Sequence, residues 1–272
     1  MLHFALNHMT VAQVSYAELL ALASGLGCVG IEARNDLAQP LFDGHDPAEA
    51  GRMARDRGLR IVGLSQVYPF NSWSEAVRDE VAALIRAAAS CGAETISLIP
   101  RNDGTGLGNG ERQANLRLAL RAIKPMLEDA GMIALVEPLG FLRSSLRSKA
   151  ETVDAIEAID AGHVFRIVHD TFHHYLADGG PMFPKETGII HISGVVDRSL
   201  SISEIEDEHR VLVDENDRLG NVEQIRRLLA LGYAGPISME CFSPAVHALA
   251  DPGAALARSF DYLRSELEEM AA

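Results

Sequence analysis

The chain is poor in cysteine, has a single tryptophan and carries no excess of basic residues. Its three cysteines, Cys28, Cys91 and Cys241, are odd in number and widely spaced. That excludes a disulfide framework and a cysteine-based zinc site, and it fits a reducing compartment. Lys and Arg number 24 against 38 Asp and Glu, a formal charge of −14. So acidic a chain gains nothing by releasing counterions from phosphates, so neither nucleic acid nor an anionic membrane is an expected partner. No apolar run reaches the roughly 18 residues of a membrane span. The start, Met1 to His8, lacks the basic and apolar regions of a signal peptide, and the expected location is cytoplasmic. Four glycines crowd the segment 101–110, but they do not spell G-x-G-x-x-G, and no Lys-Ser/Thr follows them. G-x-S-x-G is also missing, so a nucleotide-binding turn and a nucleophile elbow are both unsupported.

What is present is a repeating alternation of short apolar runs and helical patterns. The runs Leu2–Leu6, Val29–Ala33, Arg60–Leu64, Thr95–Ile99, Ile133–Glu137, Arg166–Asp170, Gly188–His191 and Pro236–Glu240 read as strands buried on both faces. Between them, Val77, Val81, Leu84, Ile85 and Ala88 keep one helical face apolar, as do Leu116, Leu120, Ile123 and Leu127 in the next helix. Pro125 is expected to kink that helix. Ser72–Glu75 and Ser148–Glu151 have the spacing of capping boxes. Val222, Ile225, Leu228 and Leu229 line a further helix, and Phe260, Leu263, Leu267 and Met270 line the last. The sixth helix is faint, because Tyr175–Lys185 is rich in Gly and Pro. Eight β/α units of roughly 30 residues each in 272 residues predict one (β/α)8 TIM barrel, an α/β fold, as a single domain over residues 1–272. A doubly wound open sheet is the alternative.

Barrels carry their chemistry at the carboxy-terminal strand ends. Four successive predicted strands end in Glu137, Asp170, His191 and Glu240, each after an apolar run. Three carboxylates converging in a partly dry site repel one another, and a divalent cation relieves that repulsion. Three oxygen donors and one imidazole suit Mn²⁺, Mg²⁺ or Co²⁺, with Zn²⁺ also acceptable and Mn²⁺ favoured. The aromatic segment Tyr68-Pro69-Phe70-Asn71-Ser72-Trp73 follows the third strand and suits the C–H face of a polyol. Glu32 either reaches the site or pairs with Arg34.

The stretches Ala134–Gly140, Val168–His173, Ile190–Ile192, Asp207–Val211 and Ser238–Pro244 resemble those of the xylose isomerase-like barrels. That family contains metal-dependent sugar isomerases and epimerases together with the class IV apurinic endonucleases, and the likeness is strongest to its inosose (2-keto-myo-inositol) isomerases. The D-x-x-H pattern from Asp170 to His173 is its most specific piece. The resemblance implies one divalent metal held by Glu137, Asp170, His191 and Glu240. It implies Glu137 and Glu240 as acid/base groups, and His173, Arg210, Trp73 and Asn7 as substrate contacts. His8, after Asn7, departs from the acidic residue expected there. The implied activity is isomerisation or epimerisation of a keto-sugar or inosose through a metal-stabilised cis-enediolate, with dehydration by a related lyase as the alternative. An endonuclease would need more histidines than the first half supplies. The expected partner is a small molecule, and a homo-oligomer is compatible with the sequence.

Overall fold

The computed structural model describes residues 2–268. Eight parallel strands close a barrel in chain order, β1 (Phe4–Asn7), β2 (Gly30–Arg34), β3 (Arg60–Val67), β4 (Thr95–Leu98), β5 (Ile133–Val136), β6 (Phe165–Asp170), β7 (Thr187–Ile192) and β8 (Ile237–Met239). Closure rests on β1 pairing with β8 through Phe4–Ile237, Ala5–Ser238 and Leu6–Met239, which excludes the open sheet. The helices are α1 (Tyr16–Gly25), α2 (Pro47–Arg55), α3 (Glu75–Cys91), α4 (Asn109–Ala130), α5 (Lys149–Glu157), α6 (Thr171–Leu176), α7 (Asn221–Ala230), α8 (Pro244–His247) and α9 (Pro252–Glu268).

Two apolar layers hold the barrel. Inside it, Ala5, Val62, Leu135, Val168 and Ile189 from five strands pack against one another. Outside it, strand residues such as Phe4, Ile31, Ile96 and Ile237 meet the apolar helix faces, among them Leu19, Val81, Leu120 and Phe260. Burial of this kind contributes about 25 cal/mol per Å² of apolar surface and is the main driving force for the fold. Met270, expected to line the last helix, lies outside the described residues.

Several local expectations are corrected. Ser72 does not cap α3, because its N–H closes the turn begun at Pro69; Ser74 is the cap, its side chain accepting from Val77 N. Ser148 accepts from Glu151 N at 3.3 Å, but the Glu151 carboxylate turns to Arg112 and Gln113, so only half of a capping box forms. The helix α4 continues through Pro125. The sixth helix lies before the Gly/Pro-rich segment and starts directly at Thr171, because Asp170 itself is its cap. Strand β3 runs on to Val67, so Ser65 and Gln66 are within it and not beyond its end.

Candidate active site

A polar layer sits above the inner apolar core, at the carboxy-terminal end of the barrel. Asp170 closes β6, His191 is the penultimate residue of β7, and Glu137 and Glu240 stand one residue beyond β5 and β8. All four are buried. One donor atom from each lies within 4.8 Å of the other three, so the cluster could hold a metal ion. It also lies beside a cavity of about 200 Å³ that Glu137, Glu240, His173 and Arg210 help to line.

The carboxylates are fixed by charged partners. Glu240 Oε1 accepts from Arg34 Nη1 at 2.6 Å and from Asn7 Nδ2 at 3.1 Å, while its Oε2 accepts from Arg210 Nη2 at 3.2 Å. Asp170 Oδ2 accepts from Arg210 Nη2 at 2.7 Å. Its Oδ1 accepts from the N–H groups of Phe172 and His173 at 2.7 and 3.1 Å, capping α6. Gly140, after β5, packs so closely on this turn that a Cβ would stand 2.4 Å from His173 O. His173 is thereby pinned at the cavity wall.

These contacts push the two glutamates apart. Burial raises Glu137 to about 7; His191 opposes the rise, and repulsion from Glu240 and Asp170 adds to it. Burial acts to raise Glu240 too, but His191, Arg210 and Arg34 outweigh it and hold that carboxyl well below the usual range. Burial disfavours an imidazolium at His191, yet Glu240, Glu32 and Glu137 together raise it well above the ordinary histidine value. His173 is lowered, chiefly by burial, so near neutrality it is an uncharged ring.

Not every expected contact is at the cavity. Trp73 packs partly buried against the outer core, and Tyr68 from the same segment lines the cavity in its place. Asn7 lies beneath the cavity, fully buried, donating to both Glu32 and Glu240. Glu32 does not pair with Arg34; it accepts from Asn7, from Ser238 and from the His191 ring. His8 bonds Val14 O, away from the site. The His169 and His174 rings lie against each other at a tilt of 44°, and His169 Nδ1 is 2.6 Å from the buried Lys149 amine. Sequence reasoning missed Arg34 as a cavity residue, with Asp36, Phe141 and Phe242. Two charged residues, Arg34 and Asp36, after the predicted second strand, and a Phe four residues past Glu137 and two past Glu240, were the available signals.

A closed eight-stranded β/α barrel with a buried carboxylate–imidazole cluster at its carboxy-terminal mouth defines the structural class. The family model described as xylose isomerase-like TIM barrel matches residues 20–266, and the chain belongs to that family. A xylose isomerase domain-containing protein from Salmonella typhimurium LT2 is 30% identical, with 97% of each chain covered and a TM-score of 0.88. The IOLI protein, solved with a zinc atom bound, is 17% identical over 98% of this chain and 99% of its own, with a TM-score of 0.85. A D-psicose 3-epimerase from Clostridium cellulolyticum H10, solved with D-tagatose, is 18% identical over 98% of this chain and all of its own, with a TM-score of 0.76. At such identities the last two share the fold. No curated protein matches the chain in sequence.

Proposed function

We propose that the protein is a divalent-metal-dependent isomerase or epimerase of a keto-sugar or keto-polyol. The observation that carries this reading is the convergence of Glu137, Asp170, His191 and Glu240 within 4.8 Å beside a small polar cavity. The donor set fits a hard or borderline divalent cation, since three carboxylates and one imidazole are buried together and need a positive charge among them. A cation held by these four side chains supplies electrostatic stabilisation of charge developing on adjacent carbonyl and hydroxyl oxygens of the substrate.

The remaining work falls to the chain's own residues. Glu137 and Glu240 reach the cavity from β5 and β8, on different sides of a bound substrate. One removes the proton from the carbon beside the carbonyl, and the other delivers a proton to the neighbouring carbon or to the opposite face. His173 and Arg210 line the same cavity and orient substrate oxygens, while Phe141 and Phe242 exclude water from the reacting carbons. A phosphodiester substrate is disfavoured by the formal charge of −14 and by Asp36 and Asp207 at the cavity. The test is incubation of the metal-loaded protein with a panel of ketoses and inososes in D₂O. Deuterium entering carbon next to a carbonyl is the expected result; no incorporation across the panel would sink the reading.

A further inference from the structure

The cavity has a second wall, on the β2–β3 side of Glu240, that the reaction above does not use. It is built from Arg34 and Asp36 at the end of β2 and Gln66 in β3. Arg34 is 5% exposed and is held on two sides. Its Nη1 donates to Glu240 Oε1 at 2.6 Å, while its Nε and Nη2 donate to Asp36 Oδ1 and Oδ2 at 2.8 and 2.7 Å. Gln66 Nε2 also donates to Asp36 Oδ2, at 3.1 Å. One planar guanidinium and two hydrogen bonds therefore separate the Glu240 carboxylate from the Asp36 carboxylate, a span of about 7 Å.

Asp36 itself is 27% exposed, on the open side of this wall. Fixed by three donors, it cannot rotate away from what enters. On the facing side, His173 and Asn102 line the cavity and each keeps a buried polar atom, Nδ1 and Oδ1, with no hydrogen-bond partner among the described residues. Buried polar atoms of this kind imply a partner supplied from outside the chain. A substrate whose reacting end stands at Glu240 would extend its far end toward Asp36 in the same cavity.

We propose that Asp36, clamped by Arg34 and Gln66, is a specificity determinant that reads hydroxyl groups at the substrate end remote from the metal-ligand candidates. This rests on the isomerase or epimerase reading above. A carboxylate accepts hydrogen bonds from hydroxyl groups and repels a phosphate or carboxylate at the same place. The preferred substrate is therefore an unphosphorylated keto-polyol long enough to reach Asp36. A three-carbon keto compound engages the reacting end alone, and a terminally phosphorylated one meets like charge.

The experiment compares solvent-deuterium exchange into a ketohexose, its 6-phosphate and dihydroxyacetone, by the wild-type protein and by Asp36→Asn, Asp36→Ala and Gln66→Leu. The wild type is expected to favour the free ketohexose over both other compounds. In Asp36→Ala, kcat/KM for the ketohexose should fall about 10- to 100-fold, the range of one or two hydrogen bonds to a charged group, mainly through KM. The rate on dihydroxyacetone should stay within about 3-fold of wild type by the same reckoning. Asp36→Asn, nearly isosteric, should narrow the preference against the 6-phosphate about 10-fold once the repulsive charge is gone. Gln66→Leu should show a smaller loss on the ketohexose alone. Equal losses on ketohexose and dihydroxyacetone would mean that Asp36 acts only through Arg34 and Glu240, and would overturn the proposal, as would unchanged selectivity in Asp36→Asn and Asp36→Ala. Exchange into none of the compounds by the wild type would overturn the isomerase reading and this inference with it, a result distinct from exchange without dependence on Asp36.

Discussion

Glu32 Oε2 lies 3.1 Å from His191 Nε2, on the opposite side of the ring from Glu137 and Glu240. His191 Nδ1 is 3.3 Å from Glu137 Oε1 and 3.2 Å from Glu240 Oε2. Both ring nitrogens thus lie within hydrogen-bond reach of carboxylates, and the ring is held between Glu32 on one side and the carboxylate cluster on the other. A fourth acidic residue, from β2, thus helps to set the orientation of the imidazole.

The first prediction follows from that bond. Glu32→Gln keeps the side-chain volume but weakens the hold on the ring, and it should reduce metal affinity about 10- to 100-fold. Metal titration by calorimetry measures the effect. Wild-type affinity in Glu32→Gln would show that the ring is oriented by other contacts.

Removing a candidate ligand should have a larger consequence. His191→Ala and Glu240→Gln are expected to copurify with far less metal than the wild type, as read by elemental analysis. Chelation of the wild type should lower thermal stability, because ligand bound only to the folded chain stabilises it by mass action. Unchanged metal content in both variants would remove the basis of the proposed function.

The strand-end signal was legible in the sequence because parallel strands buried on both faces are apolar throughout, so a polar residue at the end of each stands out. The eight-fold alternation exposed the barrel in the same way. What sequence could not give was the direction of side chains in the loops. Trp73 and Tyr68 share one aromatic segment, but the turn from Pro69 to Ser72 sends Trp73 to the outer core and leaves Tyr68 at the cavity. Glu32, two residues before Arg34, could from sequence reach the site or pair with that arginine; the strand places them on different layers, Glu32 against His191 and Arg34 against Glu240. Lys149, in the first turn of α5, gave no sequence signal of burial, yet it lies buried against His169 of β6.

A third prediction concerns the two glutamates. Glu137→Gln and Glu240→Gln, assayed at saturating metal, should each lose about 10²–10⁴ in kcat, with KM nearly unchanged. His173→Ala should instead raise KM or lower kcat moderately, as expected of a group that orients oxygens. Near-normal deuterium exchange in both glutamate variants would show that the proton is moved by another group.

The fourth prediction uses the buried Lys149. Desolvation lowers its amine from the model-peptide 10.5 to about 7, and its neighbour at 2.6 Å is a histidine ring and not a carboxylate. Below about 7 the amine is protonated in both folded and unfolded chains. Between about 7 and 10.5 the unfolded chain binds a proton that the folded chain does not, so this group makes stability rise with pH across that window. Lys149→Met should therefore be more stable than the wild type at pH 7, by on the order of 2 kcal/mol, and the difference should shrink as pH approaches 10. Denaturant melts of both proteins at pH 7, 8.5 and 10 measure it; a gap that stays constant would show that Lys149 keeps its proton in the folded chain.

Asp170 caps α6 with one oxygen and meets Arg210 with the other. Its rotamer is therefore settled before any ligand arrives, and the first turn of α6 moves only if the carboxylate does. A cation that drew Asp170 inward would have to surrender two amide hydrogen bonds to do so. The β6 side of the site is thus held in place by the chain itself, through a helix turn on one oxygen and a guanidinium on the other.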